Sequence, residues 1–464
     1  MLSEAEPLSR LAILRRRLRG LSLVHGLSQR LGWGLADQAV SSLTNYVVVA
    51  YIAHVLGAVP FGAFSLAYVT YSFILNASRG LATDPFLVRF SGASLQVWRR
   101  AVPTCTGCAI AVGAVGGAGM LVAALLLGGT AGAAFLAMGL TMPGLMLQDS
   151  WRNAFFALGR GNQAFANDAI WALAMVPILV AFRLHGYNTV FWVVLAWGMA
   201  GNVAAAVGPL QARVWPNLAA FNSWISEHRD LAPRYLVEET SGSAASQLRS
   251  YGLGALAGLV AVGYLQAAGT LMGPFLVILM GVSLVTVPEA ARVLRHSPRH
   301  LLRFCATLGG VLTAGALAWA AILLVTMPRG IGQLALGSLW RPTYPLVLPM
   351  ALSVVGGCIS AGATAGLRAL GVAKRSLRAE LFASGTLVVC SLLGAYLGGV
   401  RGAIWGGVFS SNLAAIVWWR QLTIAARDRN ITAVGQHRSR RGKPAESRQA
   451  GEPEATLVRP SPVE

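Results

Sequence analysis

The chain of 464 residues is 55% hydrophobic and only 12% charged, with a formal net charge of +20 and a mean hydropathy of +0.60. Soluble domains are about one-quarter charged, so this composition excludes a water-soluble globular chain and points to a polytopic membrane protein with room for about a dozen spans. The positive balance does not call for nucleic acid, because the basic residues gather in loops on one side of the expected spans, where topology and anionic lipid account for them.

Residues 1–34 precede the first span. Leu8, Leu11, Leu14, Leu18, Leu21 and Val24 recur at helical spacing with Arg15, Arg16, Arg17 and Arg19 between them. That is the pattern of a basic amphipathic helix on a membrane surface; an unstructured basic leader is the alternative. The first apolar run is too long for the h-region of a cleavable signal.

Spans are expected at 35–56, 62–82, 101–127, 131–153, 168–184, 189–211, 236–258, 262–287, 304–327, 343–368, 379–398 and 402–424. The first carries Asp37, Gln38, Ser41, Ser42, Thr44 and Asn45. At 100° per residue these fall on one arc of about 160°, opposite Ala39, Val40, Leu43, Tyr46 and Val47. A polar stripe on a hydrophobic helix must face protein or a water-filled cavity rather than lipid. It is either a hydrogen-bonded seam with neighbouring helices or the wall of a transport cavity.

Later signals are weaker. Cys105 and Cys108 form a CxxC at the start of an apolar span, but no second pair or nearby His supports a metal or redox site. Gly113 to Gly119 reads as small-residue helix packing, and no P-loop sequence occurs. Arg79 and Arg152 lie late in their spans, where snorkelling to the interface is expected.

The seventh span, EETSGSAASQLRSYG from Glu238 to Gly252, is the most polar. Arg249 lies eleven residues beyond Glu238 on the same face, roughly 16 Å along the helix. A guanidinium at that depth costs about 2.5–3.5 kcal/mol or more without water or a partner. Asp37, Asp84, Asp149, Asp168, Glu238, Glu239, Glu289 and Glu380 all stand near span ends on the basic side. Arg249 is therefore a candidate to receive an anionic group.

The halves resemble each other. At an offset of 201 residues, Asp37 meets Glu238, Ser42 meets Ser243, Asn45 meets Ser246, Gly57 meets Gly258 and Gly62 meets Gly263. Ala157-Leu158-Gly159 parallels Ala369-Leu370-Gly371 at an offset of 212. Two halves of six spans each enter from the same side, so the repeat is parallel. Loops rich in Arg and Lys alternate with poor ones, which puts both termini in the cytoplasm. The expected organisation is a basic cytoplasmic segment (1–34), a six-helix bundle (35–212), a cytoplasmic linker (213–235), a second six-helix bundle (236–425) and a disordered cytoplasmic tail (426–464), the whole an all-α chain of about 12 transmembrane helices.

These residues resemble the multidrug/oligosaccharidyl-lipid/polysaccharide exporter superfamily, and within it the bacterial O-antigen type polysaccharide flippases. The resemblance rests on Val55-Leu56-Gly57 followed by Phe61-Gly62-Ala63-Phe64, on Arg152 to Arg160 (RNAFFALGR), and on Leu367-Arg368-Ala369-Leu370-Gly371 with Lys374 after it. It implies a V-shaped, MATE-like pair of bundles whose first, second, seventh and eighth helices line a central cavity. Matching cavity positions are Asp37, Gln38, Ser41, Asn45, Arg79, Glu238, Ser246, Gln247 and Arg249. The expected activity is flipping of a polyprenyl-pyrophosphate-linked oligosaccharide in the bacterial inner membrane. No enzyme chemistry, cofactor or metal is expected, and the partners are membrane lipid, the lipid-linked glycan and the polymerase or glycosyltransferases of its synthesis. The rival readings are a cation-coupled multidrug exporter of the same superfamily and a polytopic glycan polymerase. The first lacks a deep carboxylate, and the second lacks an acidic outer loop.

Overall fold

The structure, a computed structural model, describes residues 32–34, 36–296 and 300–441, apart from the side chains of Glu238, several residues between 280 and 288, Ala373 and 429–441. The expectations for the N-terminal amphipathic segment and for the end of the tail lie outside the described residues. The described residues contain no strand. In order the helices are α1 (36–55), α2 (Ala58–Ser78), α3 (Asp84–Phe90), α4 (Leu95–Leu127), α5 (Gly129–Ala157), α6 (Gly161–Leu184), α7 (Val190–Ala212), α8 (Phe221–Glu227), α9 (Ala232–His296), α10 (Leu301–Thr326), α11 (Ile331–Leu336), α12 (Trp340–Leu370) and α13 (Ala373–Arg441).

Nine stretches among the described residues are long and apolar enough to cross a membrane. Two of them are hairpins. α9 breaks at Gly258 and α13 at Gly398 and Gly399, where the backbone is not helical. Gly254 then faces Val262, and Gly394 faces the Gly402 carbonyl, so each limb folds back on the other. Leu125, Leu126, Leu184 and Leu397 are exposed by 85%, 82%, 80% and 81%. Water would penalise such a surface, whereas lipid tails solvate it.

The internal repeat is visible in the backbone. Gly57 (φ 84°, ψ −170°) and Gly258 (φ 79°, ψ 172°) take the same conformation, one that L-residues avoid. The ends of α5 and α12 close alike. Gly159 and Arg160 donate to the carbonyls of Phe156 and Phe155, while Gly371 and Val372 donate to those of Arg368 and Leu367. Both glycines are left-handed, with φ 76° and 71°, the Schellman arrangement that satisfies terminal carbonyls.

Within the halves, α4 packs on α5, α5 on α7 and α6 on α7 in the first, and α12 on α13 and α10 on α12 in the second. Across the halves, α2 packs along α9. There the second pair of repeated glycines meets. A Cβ on Gly62 would overlap the Leu259 carbonyl, and one on Gly263 would lie 3.1 Å from the Ala58 carbonyl oxygen.

The structure adds to the expected organisation in three places. The linker expected at 213–235 is folded: α8 docks Trp224 and His228, both fully buried or nearly so, and Trp224 Nε1 donates to the Leu81 carbonyl at 3.0 Å. Several helices start earlier than hydropathy suggests, α4 at Leu95 and α6 at Gly161, because a helix does not stop where the hydrocarbon does. The tail expected to be disordered from 426 opens as a continuation of α13 to Arg441; this stretch is rich in Arg and reaches no Pro before Pro444.

Candidate functional site

The polar stripe of α1 faces protein. Asp37 is fully buried and Thr44 nearly so, whereas Leu43, Tyr46 and Val47 are exposed. Arg152 of α5 reaches the stripe: its Nε donates to Asp37 Oδ2 at 2.6 Å, and its Nη2 to Gln38 Oε1 at 3.4 Å. The same guanidinium lies 3.6 Å from Asp168 of α6. Gln148 donates to Asp168 at 2.6 Å and to Asn167 at 3.2 Å, and Asn167 donates to Gln211 at 2.9 Å. Arg79 grips Asp149 with two bonds, Nε to Oδ2 at 3.0 Å and Nη2 to Oδ1 at 2.6 Å. Asn153 adds a third bond to Asp149 at 3.1 Å. Further out, Asn45 accepts from Trp197 at 3.2 Å, and Ser41 is half-buried on the same face.

This network corrects the snorkelling expected of Arg79 and Arg152. Both turn inward, because Asp149 and Arg152 stand one helical turn apart on α5 and each finds an opposite charge on a neighbouring helix. Three carboxylates thus share two guanidiniums, and Asp37 Oδ1 is buried with no hydrogen-bond partner.

The first limb of α9 presents two polar faces rather than one. Gln247 donates to the Tyr251 hydroxyl at 3.0 Å, and that hydroxyl is hydrogen-bonded to Thr70 of α2. This is the face toward the first half. Arg249, about 200° further round the helix from Gln247, turns the other way. It lines a cavity of about 310 Å³ enclosed by α9, α12 and α13, together with Ser353, Ser360, Ser384, Ser411 and Glu380. Its Nε is buried and unpartnered. An adjoining cavity of about 220 Å³ shares Ser360, Glu380 and Trp418 and adds Thr364 and Arg368. Glu380 stands near Gly242, whose Cβ would lie 3.9 Å from Oε1, two helical turns from Arg249.

Arg249 was expected in a chamber between the halves; the structure sets it inside the second half. The sequence could not decide this, because polar residues occur all round 240–251. Half-buried Ser246 accepts from Ser250 through its carbonyl at 3.0 Å, and the Glu238 side chain lies outside the described residues. The structure thus gathers Asp37, Gln38 and, through Asp149, Arg79 into one network, with Asn45 further along the same helix. Gln247 and Arg249 are parted onto opposite faces.

Sequence reasoning missed Gln148, Asn167 and Gln211, which follow from no motif, and the serines of α12 and α13, which look like ordinary small helix residues. Asp149 and Asp168 were noted as acids near span ends but not as partners. The CxxC cysteines are free and buried.

No protein-family model matches the chain, and no curated protein matches it by sequence. Solved structures do match. A multidrug resistance MATE family transporter of the MOP superfamily, in an inward-facing conformation, superposes with a TM-score of 0.67 at 14% identity over 85% of this chain and 98% of its own. The lipid II flippase MurJ, in an inward closed conformation, gives 0.63 at 9% identity over 86% and 91%. A Vibrio cholerae MATE transporter, VcmN, gives 0.54 at 16% identity over 88% and 98%. The chain has the all-helical membrane fold that MATE transporters and the MurJ flippase share.

Proposed function

We propose that this protein flips a polyprenyl-pyrophosphate-linked oligosaccharide across the bacterial inner membrane by alternating access between two six-helix bundles, about 12 crossings in all, with both termini cytoplasmic. The observation that carries this reading is Arg249: a half-buried arginine whose buried Nε has no partner, facing a cavity lined by serines and Glu380, and in no ion pair among the described residues. Such a group is costly when empty and favourable when it meets an anion. Serine hydroxyls around it can donate to phosphate or sugar oxygens, so a pyrophosphate with its first sugars is the chemistry the cavity accommodates. The lipid tail would stay in the bilayer. Because the cell interior is negative, expelling an anion is downhill by about 2.3 kcal/mol per charge per 100 mV.

In cells that depend on this protein for surface glycan, Arg249→Ala abolishes export at normal protein level and Arg249→Lys keeps part of it. Full export by the Ala variant refutes the assignment.

A second reading, a cation-coupled multidrug exporter, is favoured by the other half. Three carboxylates against two guanidiniums leave one negative charge, and the orphaned Asp37 Oδ1 could take a proton or a monovalent cation. Drug susceptibility of cells overproducing the protein separates the readings: resistance that Asp37→Asn removes supports the exporter.

A further inference from the structure

At the opposite end of the first half from the Gly57 turn, three helix ends close on one cavity of about 490 Å³. α4 contributes Arg99, the junction of α5 and α6 contributes Arg160, and the end of α7 contributes Gln211 and Arg213, with Leu95 and Leu210 at the rim. All three arginines are exposed, no carboxylate lines the cavity, and none of the three is in an ion pair among the described residues. Three like charges around one space repel each other unless an anion joins them.

Two local features add to this. Arg213 has φ 56° and ψ 38° and is the one non-glycine residue with positive φ among those described; L-residues seldom take that conformation without a surrounding reason. Arg160 is the N-cap of α6, a helix of 24 residues with no side-chain cap, so the positive end of its dipole adds to the field. Leu210, in the last turn of α7, is 70% exposed and stands near the end of a stretch apolar enough to cross a membrane. Basic residues at the end of such a span are placed to meet lipid headgroups.

We infer that Arg99, Arg160 and Arg213 form a binding site for a phosphate group, and that its occupant is the phosphodiester of an anionic phospholipid whose acyl chains run past Leu210. Planar guanidiniums suit phosphate oxygens, and a lipid bound at this junction ties α4, α6 and α7 together. The site is separate from the Arg249 cavity and does not depend on the transport reading.

The test is thermal unfolding and lipid binding of the full-length protein in detergent, titrated in turn with phosphatidylglycerol, phosphatidylcholine and inorganic phosphate. Phosphatidylglycerol is expected to bind saturably and raise the unfolding temperature, phosphatidylcholine to do neither. The triple variant Arg99→Gln, Arg160→Gln, Arg213→Gln weakens phosphatidylglycerol at least about tenfold. A control with equal charge loss elsewhere, Arg229→Gln, Arg295→Gln, Arg303→Gln, binds like the parent. Arg213→Gly guards against misfolding: glycine suits that backbone, so lipid-free stability holds while phosphatidylglycerol binding falls. An equal loss in the control triple, or equal binding of the two lipids, overturns the proposal. Stabilisation by inorganic phosphate alone overturns the lipid as occupant.

Discussion

Arg152 shows how much one side chain can hold. It bonds Asp37, which is fully buried, and stands beside Asp168, which is nearly so. Removing one partner of a buried pair leaves an uncompensated charge, which typically costs about 3–5 kcal/mol. Arg152→Ala should therefore lower the unfolding temperature sharply and reduce yield, while the double variant Arg152→Ala, Asp37→Ala recovers part of the loss. Fluorescence-detected thermal unfolding reads both; an Ala variant as stable as the parent would show that the network is not a strut of the first half. Arg249 is the converse case, a guanidinium without its counter-charge. The sequence revealed its depth but not Glu380, which lines the same cavity without forming an ion pair to it among the described residues. It could not reveal the direction, since Gln247 and Arg249 are both polar and only the packing of α2 on one side of α9 separates them.

Elements carry the repeat. The glycines at 57 and 258, and at 62 and 263, were paired from sequence alone, and the backbone gives the first pair one conformation and sets the second pair at the crossing of the halves. Glycine was legible because it is the residue that a positive φ or a close approach requires. The two members of the crossing are not equally tight. Gly62→Ala places a methyl on the Leu259 backbone and should force α2 and α9 apart, whereas Gly263→Ala meets its nearest neighbour at 3.1 Å and should be tolerated better. Comparing their unfolding temperatures and transport rates checks this; equal effects would contradict the crossing.

The α8 segment was not legible, because Trp224 and His228 look like loop residues until Phe86 and Phe90 receive them. Burial, with Arg89 nearby, holds the His228 imidazole below its ordinary pKa. A base whose pKa is depressed on folding contributes its full stability above the unfolded value near 6.5 and loses it as the pH falls through the folded one. Protection against hydrogen exchange over 221–231, corrected for the intrinsic pH dependence of exchange, should thus fall between pH 7.5 and pH 5, and His228→Phe should flatten that dependence. A segment equally protected at both pH values would contradict it.

At the scale of the whole molecule, the fold places two differently furnished halves around one crossing. The first holds a web of three carboxylates on two guanidiniums, and the second holds a cavity lined by serines and Glu380 with an arginine in no ion pair among the described residues. Hydropathy and the repeat made the architecture readable, and the polar stripe of α1 proved to face protein. The charge partners and the cavity were not readable, because both arise from residues distant in sequence whose orientation only packing fixes. On the proposed reading, substrate moves as one half rocks against the other, with the anion held by the second. The most direct measurement is flipping of a fluorescent polyprenyl-pyrophosphoryl oligosaccharide in liposomes containing the purified protein, scored by accessibility to an external quencher. The account predicts flipping above protein-free liposomes that Arg249→Ala eliminates and a membrane potential of matching sign accelerates; no flipping above that background, or an Ala variant as fast as the parent, would contradict it.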